Sequence, residues 1–192
     1  MKKIKKNLST GLTLIETLVA ITILVVGVLG PLNIASRGIG DGIFAANQLA
    51  ANYLAQEALE VIINKRYATI RKAQYTTIPD WTIDAGLSTC MSSGNHCGVN
   101  SLTAALTADC GSLTGPSNNS CALVFNITNG IYQSPTTLPV ENRGTVFNRS
   151  VKISAVDAAS PPNEIKVTVT VKWNNKNVPR TLTIVEHLFS KG

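Results

Sequence analysis

The chain has 192 residues, 44% of them hydrophobic, 5% aromatic and only 15% charged. That suffices for one packed, aliphatic core plus an appendage, and it carries fewer charges than an ordinary soluble domain. The net charge of +6 sits mostly at Lys2, Lys3, Lys5 and Lys6, and without them the balance is +2; the basicity is a terminal tag, which does not support a nucleic-acid surface.

Residues 1–11 form a short basic leader. Leu12 to Gly30 is then an almost unbroken apolar run, interrupted by Thr13, Glu16, Thr17 and Thr22. Extended through Ala35 it has 24 residues, about 36 Å of helix at ~1.5 Å per residue. That length spans a hydrocarbon core of roughly 30 Å. Lysines on its N-terminal flank put that end in the cytoplasm and the remainder outside. A secretory signal or an uncut single-span anchor has the same hydropathy. Two features argue otherwise. No A-x-A cleavage site occurs in the first 60 residues. And Glu16 lies inside the run near its cytoplasmic end, where a central acidic residue costs about 2.5–3.5 kcal/mol on insertion scales. A carboxylate at that depth calls for a function and a partner.

Thr10-Gly11-Leu12-Thr13-Leu14-Ile15-Glu16 resembles the prepilin cleavage motif of type IV pilins and type II secretion pseudopilins. The resemblance covers about residues 2–30. It implies a membrane aspartyl peptidase, the prepilin peptidase, that cuts between Gly11 and Leu12 and methylates the new amine of Leu12. Leu12 departs mildly from the family's usual Phe. It also implies that Glu16 is an assembly residue, facing the positive amine of a neighbouring subunit. Glycine at the cut lets extended backbone lie deep in a protease cleft. Opposite charges ~4 Å apart attract by several kcal/mol when partly desolvated. The implied partners are the prepilin peptidase, other pilin subunits, an inner-membrane assembly platform and membrane lipid, with no cofactor.

Residues 36–66 change character. Ile39, Ile43, Ala46, Ala50, Tyr53, Leu54, Ala58, Val61 and Ile62 recur at three- and four-residue steps, which predicts an amphipathic helix with one buried stripe. It ends near Asn64-Lys65-Arg66, whose cations suit a C-terminal dipole. Between the halves, Gly27, Gly30, Pro31, Gly38, Gly40 and Gly42 make a weak joint.

From Tyr67 to Ser120 there is no sustained periodicity, so 67–120 reads as a long connection. Cys90, Cys97, Cys110 and Cys121 lie in or beside it without a CxxC pair, which argues against a zinc ribbon or a thioredoxin-type site. An even count outside the membrane favours disulfides. Three pairings are open, and proximity favours Cys90–Cys97 with Cys110–Cys121.

Residues 121–192 read as strands: Cys121–Thr128, Val146–Val156, Glu164–Trp173 and Arg180–Phe189, with turn chemistry at Asn174-Asn175-Lys176-Asn177. The third is clearest, with Ile165, Val167, Val169, Val171 and Trp173 on one face. An antiparallel meander with one face on the amphipathic helix follows. The expected fold class is α+β: one long N-terminal helix over 12–66, with 12–35 transmembrane and 36–66 amphipathic, packed on a sheet within an extracytoplasmic head, 67–192.

His96, beside Cys97, is a weak metal-ligand candidate, and His187 falls on a strand. No G-x-S-x-G, H-E-x-x-H or P-loop pattern occurs, and the expectation is a non-enzyme. Function follows from the resemblance: a minor subunit of a type IV pilus-like filament. The alternatives are a pseudopilin of a secretion or competence system, or an uncut membrane-anchored binding protein. The corresponding location is the inner membrane, then a cell-surface or periplasmic filament.

Overall fold

The computed structural model describes residues 13–73, 80–91, 96–107, 110, 121–133, 142–159, 161–176 and 178–190. The expected cleavage pair Gly11–Leu12 lies outside them. The elements in chain order are α1 (Leu14–Ala73), α2 (Trp81–Asp84), a single 3-10 turn (Ser88–Cys90), β1 (Gly98–Asn100), β2 (Ala105–Thr107), β3 (Ala122–Asn126), β4 (Ile131–Gln133), β5 (Asn142–Ala155), β6 (Glu164–Asn175) and β7 (Val178–Phe189). The fold is α+β. The chain divides into two units, Met1–Ala46 and Asn47–Gly192.

In the second unit five strands form an antiparallel sheet in the order β4-β3-β5-β6-β7. β6 lies between β5 and β7, and its Ile165, Val167, Val169, Val171 and Trp173 are all buried. Successive side chains in a strand alternate faces, so these five share one face. Each contributes roughly 1.5–3 kcal/mol relative to an exposed side chain. The register Val151↔Val169 and Ile153↔Val167 sets Val151 and Ile153 of β5 beside them. That face is covered by α1 through Ala51, Leu54, Ala55, Ala58, Val61 and Ile62, which belong to the same buried cluster. Three alanines in the stripe let the helix backbone approach the sheet closely.

The buried stripe differs from the expected one. Leu54, Ala58, Val61 and Ile62 are in it, whereas Ile39, Ile43 and Tyr53 are 67%, 52% and 63% exposed. Positions 53 and 54 lie about 100° apart around a helix, so the apolar pattern was two stripes read as one. The helix also passes Arg66 and ends at Ala73. Residues 67–73 contain no Gly or Pro, Thr69 is buried, and Arg71 and Lys72 occupy the last turn in place of Lys65 and Arg66. Arg66 donates from Nε to the carbonyl of Phe189 at 2.6 Å, tying the helix to the end of β7.

The connection 67–120 holds short elements that periodicity could not reveal. Asp80 caps α2, Trp81 Nε1 donates to the carbonyl of Pro162 at 2.8 Å, and β1 and β2 form a small hairpin. Cys97 bridges Val151, so the edge of β5 beyond β3 is covered by this segment. β7 is an edge strand of 12 residues, of which Leu188 alone is buried. The β6–β7 hairpin closes at Asn175↔Val178, with Lys176 at a positive φ of 49°.

Candidate functional site

The first candidate is the N-terminal stretch of α1. It is long and apolar enough to cross a membrane, and its most apolar window has no buried residue. Leu14, Ile15, Val26 and Ile34 are more than 70% exposed. A helix satisfies its own backbone, which a spanning segment must do. Its hydroxyls follow the same logic: Thr17 Oγ1 donates to the Leu14 carbonyl and Thr22 Oγ1 to the Val19 carbonyl, both at 2.8 Å. Asn33 Nδ2 donates to the Leu29 carbonyl at 3.1 Å. That leaves Glu16 as the single ionisable side chain between residues 13 and 36. It stands in the first turn, where the carbonyl of Thr13 accepts from the N–H groups of Glu16 and Thr17 at 3.0 and 3.2 Å. A carboxylate there suits the positive end of the helix dipole.

The glycine- and proline-rich joint is helical throughout, with Pro31 inside α1. Proline removes the donor that the Gly27 carbonyl would otherwise receive. Gly27, Gly30, Gly38 and Gly42 have open space where a Cβ would stand, so nothing in this chain requires their small size.

In the second unit all four cysteines are paired, Cys90 with Cys97 and Cys110 with Cys121, the pairing that proximity favours. Both disulfides attach to β5 on the side that faces β3. Cys97 exchanges two backbone hydrogen bonds with Val151, each 2.8 Å, and the Cys121 carbonyl accepts from Arg149 N at 2.8 Å. His96 takes part through its backbone, accepting from Cys110 N at 2.7 Å. No group of three or more His, Cys, Asp or Glu among the described residues could hold a metal. His187 Nδ1 lies 2.5 Å from Glu164 Oε1 on an exposed strand.

Arg149 is the feature that pattern reading passed over. Its side chain is fully buried on the core face of β5, between Phe147 and Val151. It donates to the carbonyls of Leu54 at 3.0 Å and Val99 at 2.9 Å, and to Glu57 Oε2 at 3.2 Å. Burial lowers its pKa from the ordinary guanidinium value, and the Glu57 carboxylate opposes that shift. Its Nε is buried without an acceptor among the described residues. The signal was available: Arg149 shares the phase of Phe147, Val151 and Ile153 in an alternating strand. At Asp80, burial raises the carboxyl pKa, but the hydroxyl of Thr82 and the N–H groups of Thr82 and Ile83 outweigh it and hold the value below normal.

No family model matches the chain, and no curated protein or solved structure matches it.

Proposed function

We propose that this chain is a type IV prepilin-like subunit, a minor one, cut after Gly11 and assembled into a filament through the N-terminal half of α1. The observation that carries the reading is Glu16: a lone carboxylate in an exposed apolar helix, four residues after Leu12, in a segment where the hydroxyls of Thr17 and Thr22 bond their own backbone. An anchor that stays uncut gains nothing from an acidic group at that depth. A filament does, because the amine freed at Leu12 of a neighbour supplies the opposite charge and sets the axial register between otherwise featureless greasy helices. The unfilled space beside four glycines suits a helix that other helices approach. Lysines at 2, 3, 5 and 6 hold the leader in the cytoplasm, and two disulfides suit a head in an oxidising space. The partners are the prepilin peptidase, other subunits and the inner-membrane assembly platform. A pseudopilin of a secretion or competence system shares every one of these features.

The test is the mature N-terminus. Intact-mass analysis of protein made in a host with prepilin peptidase should show loss of residues 1–11 and gain of one methyl on Leu12. Gly11→Leu should leave the full-length precursor in the membrane. Full-length protein from the wild-type chain, or normal processing of that variant, overturns the proposal in favour of an uncut anchor.

A further inference from the structure

A groove of about 480 Å³ opens on the flank of the second unit, lined by Glu57, Ser101, Leu102, Gly130, Ile131 and Tyr132. Small-molecule sites commonly fall between about 300 and 1,000 Å³. Its walls come from α1, the β1–β2 turn, the β3–β4 turn and β4, and the two turns and the Tyr132 ring are held in place. Asn100 Oδ1 accepts from the N–H groups of Leu102 and Thr103 at 3.0 and 3.2 Å. Asn126 Oδ1 does the same for Thr128 and Asn129 at 2.9 and 3.2 Å. Asparagine side chains that fold back on their own turn in this way substitute for a backbone hydrogen bond and stiffen the turn. Gly130 closes the second turn at φ 71°, a conformation that disfavours any side chain. The Tyr132 ring is fixed edge-on against Phe125 and Phe147, at centroid distances of 5.2 and 6.1 Å.

The polar content is small and one-sided. Ser101 lines the groove, but its Oγ is closed off from solvent and without a hydrogen-bond partner among the described residues, so the hydroxyl does not face a ligand. Glu57 presents a carboxylate whose side chain is 33% exposed, and 3.2 Å behind it the fully buried Arg149 balances its charge. A carboxylate neutralised from behind attracts a free cation weakly, yet its lone pairs remain good acceptors. Its negative oxygens also repel an anion. The remaining lining is Leu102, Ile131 and an aromatic ring, which suits C–H surface. We infer that the groove is a binding site for a neutral, hydroxyl-rich ring, that is, a saccharide: ring hydroxyls donate to the Glu57 carboxylate, while the apolar face of the ring lies on Tyr132, Leu102 and Ile131. The site uses no residue before Glu57, so it stands or falls independently of the filament reading.

The experiment is saturation-transfer NMR on the full-length chain in a polyoxyethylene detergent, which carries neither sugar nor cation. The probes are the methyl glycosides of glucose, galactose, mannose and N-acetylglucosamine, with butylammonium and methyl phosphate as charged comparators. At least one glycoside should bind, with a dissociation constant about millimolar, the scale of a small open site. Leu102→Trp, which fills the groove from an exposed position, should weaken binding at least ~10-fold at an unchanged melting temperature. Ile131→Ala, which strips a half-buried apolar wall from the groove, should weaken it about threefold to tenfold; it also serves as the test if the tryptophan variant fails to fold. Three results would overturn the inference: no glycoside signal, a signal that neither variant reduces, or preferential uptake of butylammonium or methyl phosphate that no glycoside competes away.

Discussion

Removing the two partners of the Glu57–Arg149 pair should have opposite consequences. Arg149 is fully buried while Glu57 is 33% exposed, so the pair is asymmetric. Glu57→Ala leaves a guanidinium in the core with two carbonyls and no counter-charge. Stranding a buried charge costs about 3–5 kcal/mol, and Glu57's partial exposure sets the expectation at the low end, about 3 kcal/mol. Alanine is the best helix former, so no loss of helix propensity offsets or inflates that figure. For a unit of this size about 3 kcal/mol lowers the melting temperature by roughly 10 °C. Arg149→Met removes the charge and keeps the bulk. The released carboxylate turns to water, so the cost should stay within about 1 kcal/mol, and exchange of buried ion pairs for apolar side chains is often neutral or stabilising. The double variant should recover most of the loss caused by Glu57→Ala. Trp81 and Trp173 are 7% and 5% exposed, so their fluorescence reports unfolding of this unit in a urea titration. If Glu57→Ala unfolds within ~0.5 kcal/mol of wild type, or Arg149→Met is the worse of the two, the guanidinium is not held by its carboxylate in the way described.

The disulfides close loops of sequence separation 7 and 11, so each Cys→Ser pair should cost about 2.5–3 kcal/mol in the same titration; alkylation of denatured, unreduced protein should find no thiol. Asp80→Ala should cost ~1 kcal/mol at neutral pH through loss of the α2 cap. Because the folded-state pKa of Asp80 is depressed, that contribution is present above its ordinary 3.8 and is lost as pH falls through the lower folded value, so the gap between variant and wild type should close in acid; a pH-independent gap would assign the effect to packing. Glu16→Ala and Glu16→Gln should both insert in the membrane at least as well as wild type, and both should be depleted from sheared surface filaments; assembly of either at wild-type levels would make Glu16 a boundary residue.

Much of the second unit was legible from alternation. β6 stood out because five apolar residues at odd positions face one side while Lys166, Thr168, Thr170 and Lys172 face the other, a pattern only a half-covered sheet requires. β4 was invisible because Ile131–Gln133 is three residues long, too short for a period, and exists through its register with β3. The end of α1 was misplaced because charged residues at 64–66 imitate a terminus, although no helix breaker follows for several residues. The groove was beyond reach for a different reason. It joins positions 57, 101–102 and 130–132, which only the tertiary fold brings together. Glu16, by contrast, was conspicuous because a charge in an apolar run needs no neighbour to be noticed.

Among the described residues no strand pairs with the outer edge of β7, which bears on how copies of this chain can meet. Two such edges pair antiparallel only across a two-fold axis normal to the sheet. The part of α1 that packs on the sheet lies along that plane, so the operation turns the partner's helix end for end. Apart from Pro179, which lacks a donor, and a few charged side chains, the long edge has little of the local protection that soluble sheets use. That edge is therefore open to a second copy of this unit, paired strand to strand with its covering helix segment reversed.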